Sequence, residues 1–428
     1  MKTRALFTLN ALFLSLLVFN STADAQEQEV PKLEIGVQYS PLSINLPVFG
    51  GTETALGFGG RVTYNFNNYF AVEAEGNLFP SDLSSRYTTG GASEQLQAGL
   101  KAGKRWKRFG LFAKARPGLV SFGDTVRPEL VTISGTTVTQ FQHERKTHFS
   151  MDVGGVLEFY PSRRMLVRFD AGDTIIRYGA HDESFFGTSP SVFRVGPEVQ
   201  HNFQFTGGIG FRFGEGSGDG DSSPGPFAAG ERVRRFEAGI QFSSLALRLP
   251  SDGSRFTDRG SGTEAGGGLR FGVNATNDLA FEVEGNFYPR KRYGIDTAVG
   301  GYPSQLQAGV KYGRRFERFG VFGKARPGLV HFSRVEEVTG YDPVVFGSQT
   351  FFFPNFRSVS KTYFSMDLGG VFEFYPSKRL LTRFDVGDTM IHYPDRDNPT
   401  TFTGTPPLRL PAELRHNLQV TAGLGFRF

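Results

Sequence analysis

The sequence contains no cysteine and a single tryptophan among its 428 residues. The lack of cysteine excludes disulfide bonds, thiol chemistry and cysteine-ligated metal sites. Beyond residue 25 no stretch approaches the roughly 18 to 20 apolar residues that a membrane-spanning helix requires, so no transmembrane helix is expected. Basic residues (47) barely outnumber acidic residues (42), and the two are scattered along the chain. We therefore predict no nucleic-acid partner.

The first 25 residues have the pattern of a secretory signal peptide. Lys2 and Arg4 precede an apolar run from Ala11 to Phe19, and small residues follow at Ala23 and Ala25. This order of basic, apolar and small residues predicts a cleaved export signal at residues 1–25. The mature chain is expected to be exported, and the signal takes no part in its fold.

The mature chain repeats itself. Residues 149–162 read FSMDVGGVLEFYPS and residues 364–377 read FSMDLGGVFEFYPS, a match at 12 of 14 positions. The motifs QLQAG and KARPGLV also occur twice. We predict repeat 1 at residues 32–213 and repeat 2 at residues 235–428. The segment between them, 214–234, is rich in Gly, Ser, Asp and Pro and predicts a flexible linker.

Composition and apolar spacing predict an all-β protein. The chain has 55 Gly and 45 Phe, and apolar residues recur at every second position, as in a strand with one apolar face. Each predicted strand is long enough for the roughly 9 to 11 tilted residues that cross a bilayer. The eight strands predicted in repeat 1 are 32–40, 55–66, 69–80, 94–106, 109–122, 146–160, 165–178 and 200–213.

The predicted connections alternate between short turns and long loops, as they do in outer-membrane barrels. The offset between the repeats changes only inside the long connections, which are 41–54, 81–93, 123–145 and 179–199. Strands in a bilayer satisfy their backbone only by closing into a ring. We therefore predict two tandem eight-stranded antiparallel up-and-down transmembrane β-barrels. Pro117 and Pro327 fall inside the fifth strand of each repeat, where we expect a bulge or an early strand end.

The polar face of each predicted strand points into its barrel and carries six acidic and six basic residues per repeat. Because an unpaired buried charge is costly, we predict a network of ion pairs that plugs each lumen. The repeat 1 residues are Glu34, Arg61, Glu73, Glu75, Lys101, Lys114, Arg116, Asp152, Glu158, Arg168, Asp170 and Arg212. The repeat 2 residues are Glu237, Arg270, Glu282, Glu284, Lys311, Lys324, Arg326, Asp367, Glu373, Arg383, Asp385 and Arg427.

Residues that could support catalysis or metal binding form no convincing site in the sequence. Glu73 and Glu75 share one strand face, a placement that would also suit acid–base catalysis, but a structural ion pair is the preferred interpretation. The histidines have neither metal-ligand spacing nor a triad arrangement with serine and acid. We predict no enzyme activity, no catalytic residues, no metal site and no cofactor.

The eight-strand pattern and the final motif GLGFRF, which ends at Phe428, resemble the OmpA/OmpX-like superfamily of eight-stranded outer-membrane barrels. The resemblance covers nearly all of the mature chain, although the tandem repeat departs from the usual single barrel. It implies the outer membrane of a Gram-negative bacterium as the location, with membrane lipid and the outer-membrane assembly machinery as partners. It also implies that Phe426 and Phe428 form the C-terminal assembly signal.

Two functions are compatible with this interpretation. The first is a structural, surface-display or adhesion role, in which plugged barrels anchor extracellular loops such as 123–145 and 334–360. The alternative is a single sixteen-stranded porin-like barrel for the passive diffusion of small solutes. No motif in the loops identifies an extracellular ligand.

Overall fold

The computed structural model describes most of both repeats. The described residues contain no helix, and hence none that could span a membrane. The predicted signal peptide and nearly all of the predicted linker lie outside the described residues. The described segments are 30–46, 52–134, 136–185, 191–214, 233–251, 261–289, 297–346, 349–398 and 408–428.

Both repeats consist of antiparallel strands. The strands of repeat 1 are β1 Leu33–Tyr39, β2 Leu42–Asn45, β3 Thr52–Ala55, β4 Phe58–Asn65, β5 Phe70–Leu83, β6 Gly91–Arg105, β7 Phe109–Ile133, β8 Thr136–Phe159, β9 Met165–Tyr178, β10 His181–Phe185, β11 Ser191–Val195 and β12 Glu198–Phe213. The strands of repeat 2 are β13 Phe236–Arg248, β14 Ser261–Asn274, β15 Leu279–Phe287, β16 Pro303–Arg315, β17 Phe319–Phe346, β18 Gln349–Phe374, β19 Leu380–Tyr393, β20 Arg396–Asn398, β21 Leu408–Leu410 and β22 Glu413–Arg427.

Each repeat closes into its own ring. In repeat 2 the order β13-β14-β15-β16-β17-β18-β19-β22 is a closed barrel. In repeat 1 the sheet β1-β4-β5-β6-β7-β8-β9-β12 is closed by pairing of β1 with β12, and β2 and β3 extend it. The predicted all-β barrel class is confirmed. Among the described strands every pair lies within one repeat, whereas the sixteen-stranded alternative requires pairs between repeats.

Two breaks, between β1 and β2 and between β3 and β4, give the first sheet ten strands, and a proline explains the first of them. Pro41 occupies the position of Ser244 in repeat 2, at the offset of 203 residues. Because proline has no N–H to donate, the chain breaks into β1 and β2, whereas β13 continues through Ser244. Both β2 and β13 pair with the last strand of their repeat. The barrel is therefore eight-stranded in both repeats.

The described parts of the connections 123–145 and 334–360, predicted as loops, are instead the outer parts of long hairpins. Strands β7 and β8 stay paired up to Ile133 opposite Thr136, and β17 and β18 up to Phe346 opposite Gln349. These segments lack a one-sided apolar pattern because much of both faces is exposed, so period-two reasoning missed them. We call the end of each barrel with these hairpins the hairpin end, and the opposite end, with the short turns, the turn end.

The prediction of a bulge or strand end at Pro117 and Pro327 is wrong. Pro117 pairs with Met151 of β8 in unbroken register, and Pro327 pairs likewise with Met366 of β18. The other neighbour of Pro117 is β6. Only two residue pairs between β6 and β7 are missing near the proline, and the pairing register is the same before and after them. The missing N–H is therefore tolerated without any shift of the strand.

Side chains alternate between a buried interior and an exposed apolar exterior. On β6, for example, Leu96 and Leu100 are 65% and 63% exposed. Gln97 and Lys101, each the next residue along the strand, are buried. This pattern inverts that of a water-soluble protein, whose charged side chains face solvent. The apolar exterior fits a bilayer, and the polar interior is the place to look for a functional site.

Candidate functional site

The structure places all 24 predicted interior charges inside the two rings, with no more than 7% of any of these residues exposed. Their contacts cross the ring. Arg168 of β9 donates to Glu73 of β5 over 2.9 Å, although three strands separate β5 from β9 in the sheet. Only side chains that point into a closed ring can meet in this way.

The centre of repeat 1 is held by two arginines. Arg116 contacts Glu75 and Asp152, each at 2.5 Å, and so links β7 to β5 and β8. Arg168 contacts Asp170 at 2.6 Å in addition to Glu73. Each guanidinium thus binds two carboxylates, a geometry that its planar array of donors favours.

A second cluster lies at the turn end around Glu158. This carboxylate contacts Lys101 at 2.5 Å and Arg105 at 3.4 Å, and it accepts a hydrogen bond from Tyr160 at 2.7 Å. Sequence reasoning missed Arg105 and Tyr160. Arg105 lies on the same inward face of β6 as Lys101, so it could have been predicted as part of the network. Tyr160 lies just after the end of β8, where alternation along the strand gives no guide.

Repeat 2 reproduces this network at the equivalent residues. Arg326 contacts Glu284 at 2.5 Å and Asp367 at 2.6 Å, and Arg383 donates to Glu282 over 2.8 Å. Arg427 contacts Glu237 at 2.7 Å. The two repeats therefore have equivalent ion-pair partners as well as equivalent charged residues.

The contacts differ from the predicted network of ion pairs at one basic residue in each repeat. Arg61 donates to the side-chain oxygen of Gln38 over 3.0 Å, and Arg270 donates to that of Gln241 over 3.3 Å. These amides belong to a layer that follows the charges toward the hairpin end. In that layer Gln95 and Gln204 exchange hydrogen bonds of 3.1 Å and 2.8 Å.

An apolar layer closes the interior at the hairpin end, and sequence reasoning missed it. In repeat 1 the layer comprises Leu42, Ile44, Leu46, Ala55, Phe79, Leu83, Val120, Phe122, Ile176 and Tyr178, all buried. In repeat 2 it comprises Leu245, Leu247, Tyr288, Ala298, Val299, Val330, Phe332, Val335, Tyr363, Ile391 and Tyr393. The signal was available, because Val120 and Phe122 continue the inward parity of Lys114 and Arg116. The layer was missed because only the polar residues of that inward face were selected.

Glycines make room for the long basic side chains. Gly154 and Gly172 face each other across β8 and β9. A Cβ atom added at Gly154 would lie 2.3 Å from the carbonyl oxygen of Ala171 and 2.6 Å from the Cα of Gly172. Such contacts are closer than van der Waals distance, so side chains are excluded at this crossing, and small and large residues alternate in the filled lumen.

One serine, acid and histidine cluster forms at the hairpin end of repeat 1, although the sequence showed no such arrangement. Ser85 donates to Asp124 over 2.5 Å, and Nδ1 of His143 lies 2.5 Å from the other carboxylate oxygen. These contacts lower the pKa of Asp124 below its ordinary value. A catalytic triad places histidine between serine and acid. Here the acid is in the middle, so the cluster does not have the order of a catalytic triad and instead joins Ser85 to the β7–β8 hairpin.

The C-terminal aromatic residues lie at the turn end of repeat 2, on the outward face. Phe426 and Phe428 are 43% and 52% exposed. Phe428 exchanges backbone hydrogen bonds of 3.0 Å and 3.2 Å with Phe236, and their rings stack at 5.9 Å. The last residue of the chain thus completes the seam that closes the barrel.

The first repeat is similar to a known family of protein domains. Residues 11–213 match the family model described as outer membrane protein beta-barrel domain. The comparison with curated proteins gave no match.

Solved structures of other proteins match this chain at low sequence identity and low TM-score. The N-terminal β-barrel domain of Pseudomonas aeruginosa OprF is 10% identical, with 46% of this chain and 100% of that chain covered and a TM-score of 0.24. The Ralstonia pickettii toluene transporter TbuX is 8% identical, with coverages of 94% and 90% and a TM-score of 0.26. A Pseudomonas aeruginosa FadL homologue is 11% identical, with coverages of 92% and 90% and a TM-score of 0.27.

Proposed function

We propose that this protein is an outer-membrane protein whose two filled barrels anchor extracellular β-hairpins and conduct no solute; the match of residues 11–213 to the model of the outer membrane protein beta-barrel domain supports the location. The observation that supports this most strongly is the filling of both interiors. From the turn end, a charged network, an amide layer and an apolar layer follow one another in each ring. A diffusion pore needs a continuous wet passage, and side chains occupy that space.

The hairpins are the parts that extend beyond the membrane. In repeat 1 the pairing continues from Thr125 opposite Glu144 to Ile133 opposite Thr136. These nine residues per strand add roughly 30 Å at about 3.3 Å per residue. Elements held on a rigid scaffold are the usual place for recognition, so we assign ligand contact to the hairpins.

Both hairpins expose apolar side chains, such as Leu130 in repeat 1, and they differ in what lies around them. In repeat 1, Glu129, Arg127 and Gln142 form a polar surface in which Gln142 bonds with both of the others. In repeat 2, Val344 and Phe353 share one face of the hairpin and are 37% and 45% exposed. Exposed apolar side chains grouped on one element mark a contact surface. We therefore propose that this face of the repeat 2 hairpin takes part in any adhesive contact, and that the protein is not an enzyme.

Conductance tests the filled interiors. The purified full-length protein in a planar lipid bilayer is expected to give no steady current under conditions in which a general porin conducts. The reason is that the ion pairs and the apolar layer exclude a continuous column of water. A large steady current from the intact protein would refute the proposal.

Chemical labelling tests the orientation, and the cysteine-free chain makes it unambiguous. A Thr137→Cys variant, at the exposed tip of the β7–β8 hairpin, is expected to react with a membrane-impermeant maleimide on intact cells. A Lys107→Cys variant, in the exposed β6–β7 turn, is expected to react only after the outer membrane is permeabilised. The reverse pattern of reactivity would place the hairpins in the periplasm and remove the display role.

We further propose that Phe426 and Phe428 are recognised by the outer-membrane assembly machinery. Phe213 ends the same motif in repeat 1 and is similarly exposed, 48% against 52% for Phe428. A Phe428→Ala variant is expected to reduce the amount of protein in the outer membrane, whereas Phe213→Ala leaves it unchanged. Equal losses would indicate local packing at each seam and not a terminal signal.

A further inference from the structure

The two barrels meet through a patch that strand alternation alone would assign to lipid. On β12 the outward residues Phe203 and Phe211 are 49% and 53% exposed, whereas Gly207 midway between them is buried. On β22 Leu418 and Phe426 are 40% and 43% exposed, but Ala422 between them is only 4% exposed. The middle of each strand is therefore covered, and the other repeat covers it.

Equivalent residues of the two repeats touch each other in this patch. Gly207 corresponds to Ala422 at the offset of 215, and a Cβ atom built on Gly207 would lie 3.4 Å from the Cβ of Ala422. Phe169 and Phe384, also equivalent, stack with centroids 5.2 Å apart and planes at 14°. A residue contacts its own equivalent only near a two-fold axis.

Contacts away from the axis are reciprocal, as this symmetry requires. Arg108 donates to the carbonyl oxygen of Pro376 over 2.8 Å, and its equivalent Arg318 donates to that of Pro161 over 2.6 Å. These contacts join the turn ends of the two barrels, so the axis runs along the barrels and not across them.

The aromatic contacts follow the same rule. Phe205 stacks on Phe242 with centroids 4.2 Å apart. The equivalents of these two residues are Val420 and Tyr39, which belong to one buried cluster. Each side of the patch therefore presents the same surface to the other.

The patch also contains a polar contact that lipid cannot replace. The hydroxyls of Tyr39 and Ser244 are hydrogen-bonded to each other, and Ser244 donates to the carbonyl oxygen of Val420 over 3.4 Å. Both residues face outward and are buried, with 9% and 1% exposed. A hydroxyl left without a partner in hydrocarbon is costly, so these two groups fit a protein neighbour.

We propose that this patch is a built interface and that the chain is an intramolecular dimer, with an approximate two-fold axis through Gly207 and Ala422 along the membrane normal. Small residues at the axis let the two backbones approach, as they do where membrane segments pack tightly. The pairing goes beyond anchoring, because it holds the hairpins β7–β8 and β17–β18 in one mutual orientation. A partner with two matching sites would then bind both hairpins without first ordering them.

Disulfide formation in the cysteine-free chain tests the interface. The Gly207→Cys, Ala422→Cys double variant brings two Cβ atoms close to the separation of about 3.5–4.5 Å found in disulfides. With a protease site inserted in the linker at 214–234, the cleaved halves are expected to migrate together on a denaturing gel without reductant and to separate with it. The matched control is Leu96→Cys, Leu306→Cys, an equivalent pair that is 65% and 57% exposed. That pair lies on β6 and β16, opposite the contact strands in each ring, and is expected to leave the halves separate.

Bonds at 207 and 422 that form only between different molecules would overturn the proposal, as would the absence of a bond together with a broad distance distribution in the measurement below. A cysteine at Gly207 has to displace the Phe384 ring, whose Cε1 lies 2.9 Å from the new Cβ. A second measurement therefore uses variants that lie outside the interface and do not disturb it. Nitroxide labels on Leu96→Cys and Leu306→Cys are expected to give one narrow distance distribution in pulsed electron paramagnetic resonance. A broad distribution would show that the barrels move independently.

Discussion

Replacing Arg168 with methionine is expected to lower the free energy of unfolding by about 3–5 kcal/mol. The side chain lies across the centre of repeat 1 between Glu73 and Asp170, and none of the three is more than 1% exposed. Methionine fills much of the volume but leaves two buried carboxylates short of a partner. Denaturant unfolding from lipid vesicles measures the loss. The only tryptophan, Trp106, lies in the β6–β7 turn of repeat 1 and reports on that repeat.

The matched control is Arg194→Ala on the surface hairpin β10–β11. Arg194 pairs with Asp182 at 3.2 Å, but its side chain is 67% exposed. Water can solvate both charges once the pair is lost, so a change within about 1 kcal/mol is expected. If Arg168→Met cost no more than this control, the interior charges would be hydrated and the lumen would not be filled.

Truncating Phe122 to alanine is expected to lower the free energy of unfolding by about 3–5 kcal/mol. The residue is fully buried in the apolar layer at the hairpin end, near the rings of Tyr178 and His148. The truncation removes apolar contacts and leaves a cavity that the strands of a closed ring cannot move to fill. The same unfolding assay, followed through Trp106, measures the effect.

Phe193→Ala on β11 is the control for the apolar layer. Phe193 is 47% exposed, so its loss is expected to change stability by no more than about 0.5 kcal/mol. A comparable result for Phe122 would mean that the apolar layer is not packed and that the hairpin end of the lumen is open to water.

Much of the architecture was predictable from local pattern. Alternation along segments such as 146–160 located the strands, because a strand with one apolar face has a period of two wherever it crosses a bilayer. The same alternation selected the inward charges, since burial in hydrocarbon excludes charge from the outer face. The pattern failed where both faces meet water, so the paired hairpins beyond Phe122 and Phe332 were mistaken for loops.

The sequence by itself determined the strand class, the two repeats and the face on which the charges lie, because these depend on neighbours along the chain. Only the tertiary structure decided which acid meets which base, since Arg168 and Glu73 are 95 residues apart and come together only when the ring closes. It also decided that each ring closes within its repeat. Finally, it separated outward residues that meet lipid, such as Leu96, from those that meet the other barrel, such as Phe169, because both kinds are apolar and alternate identically.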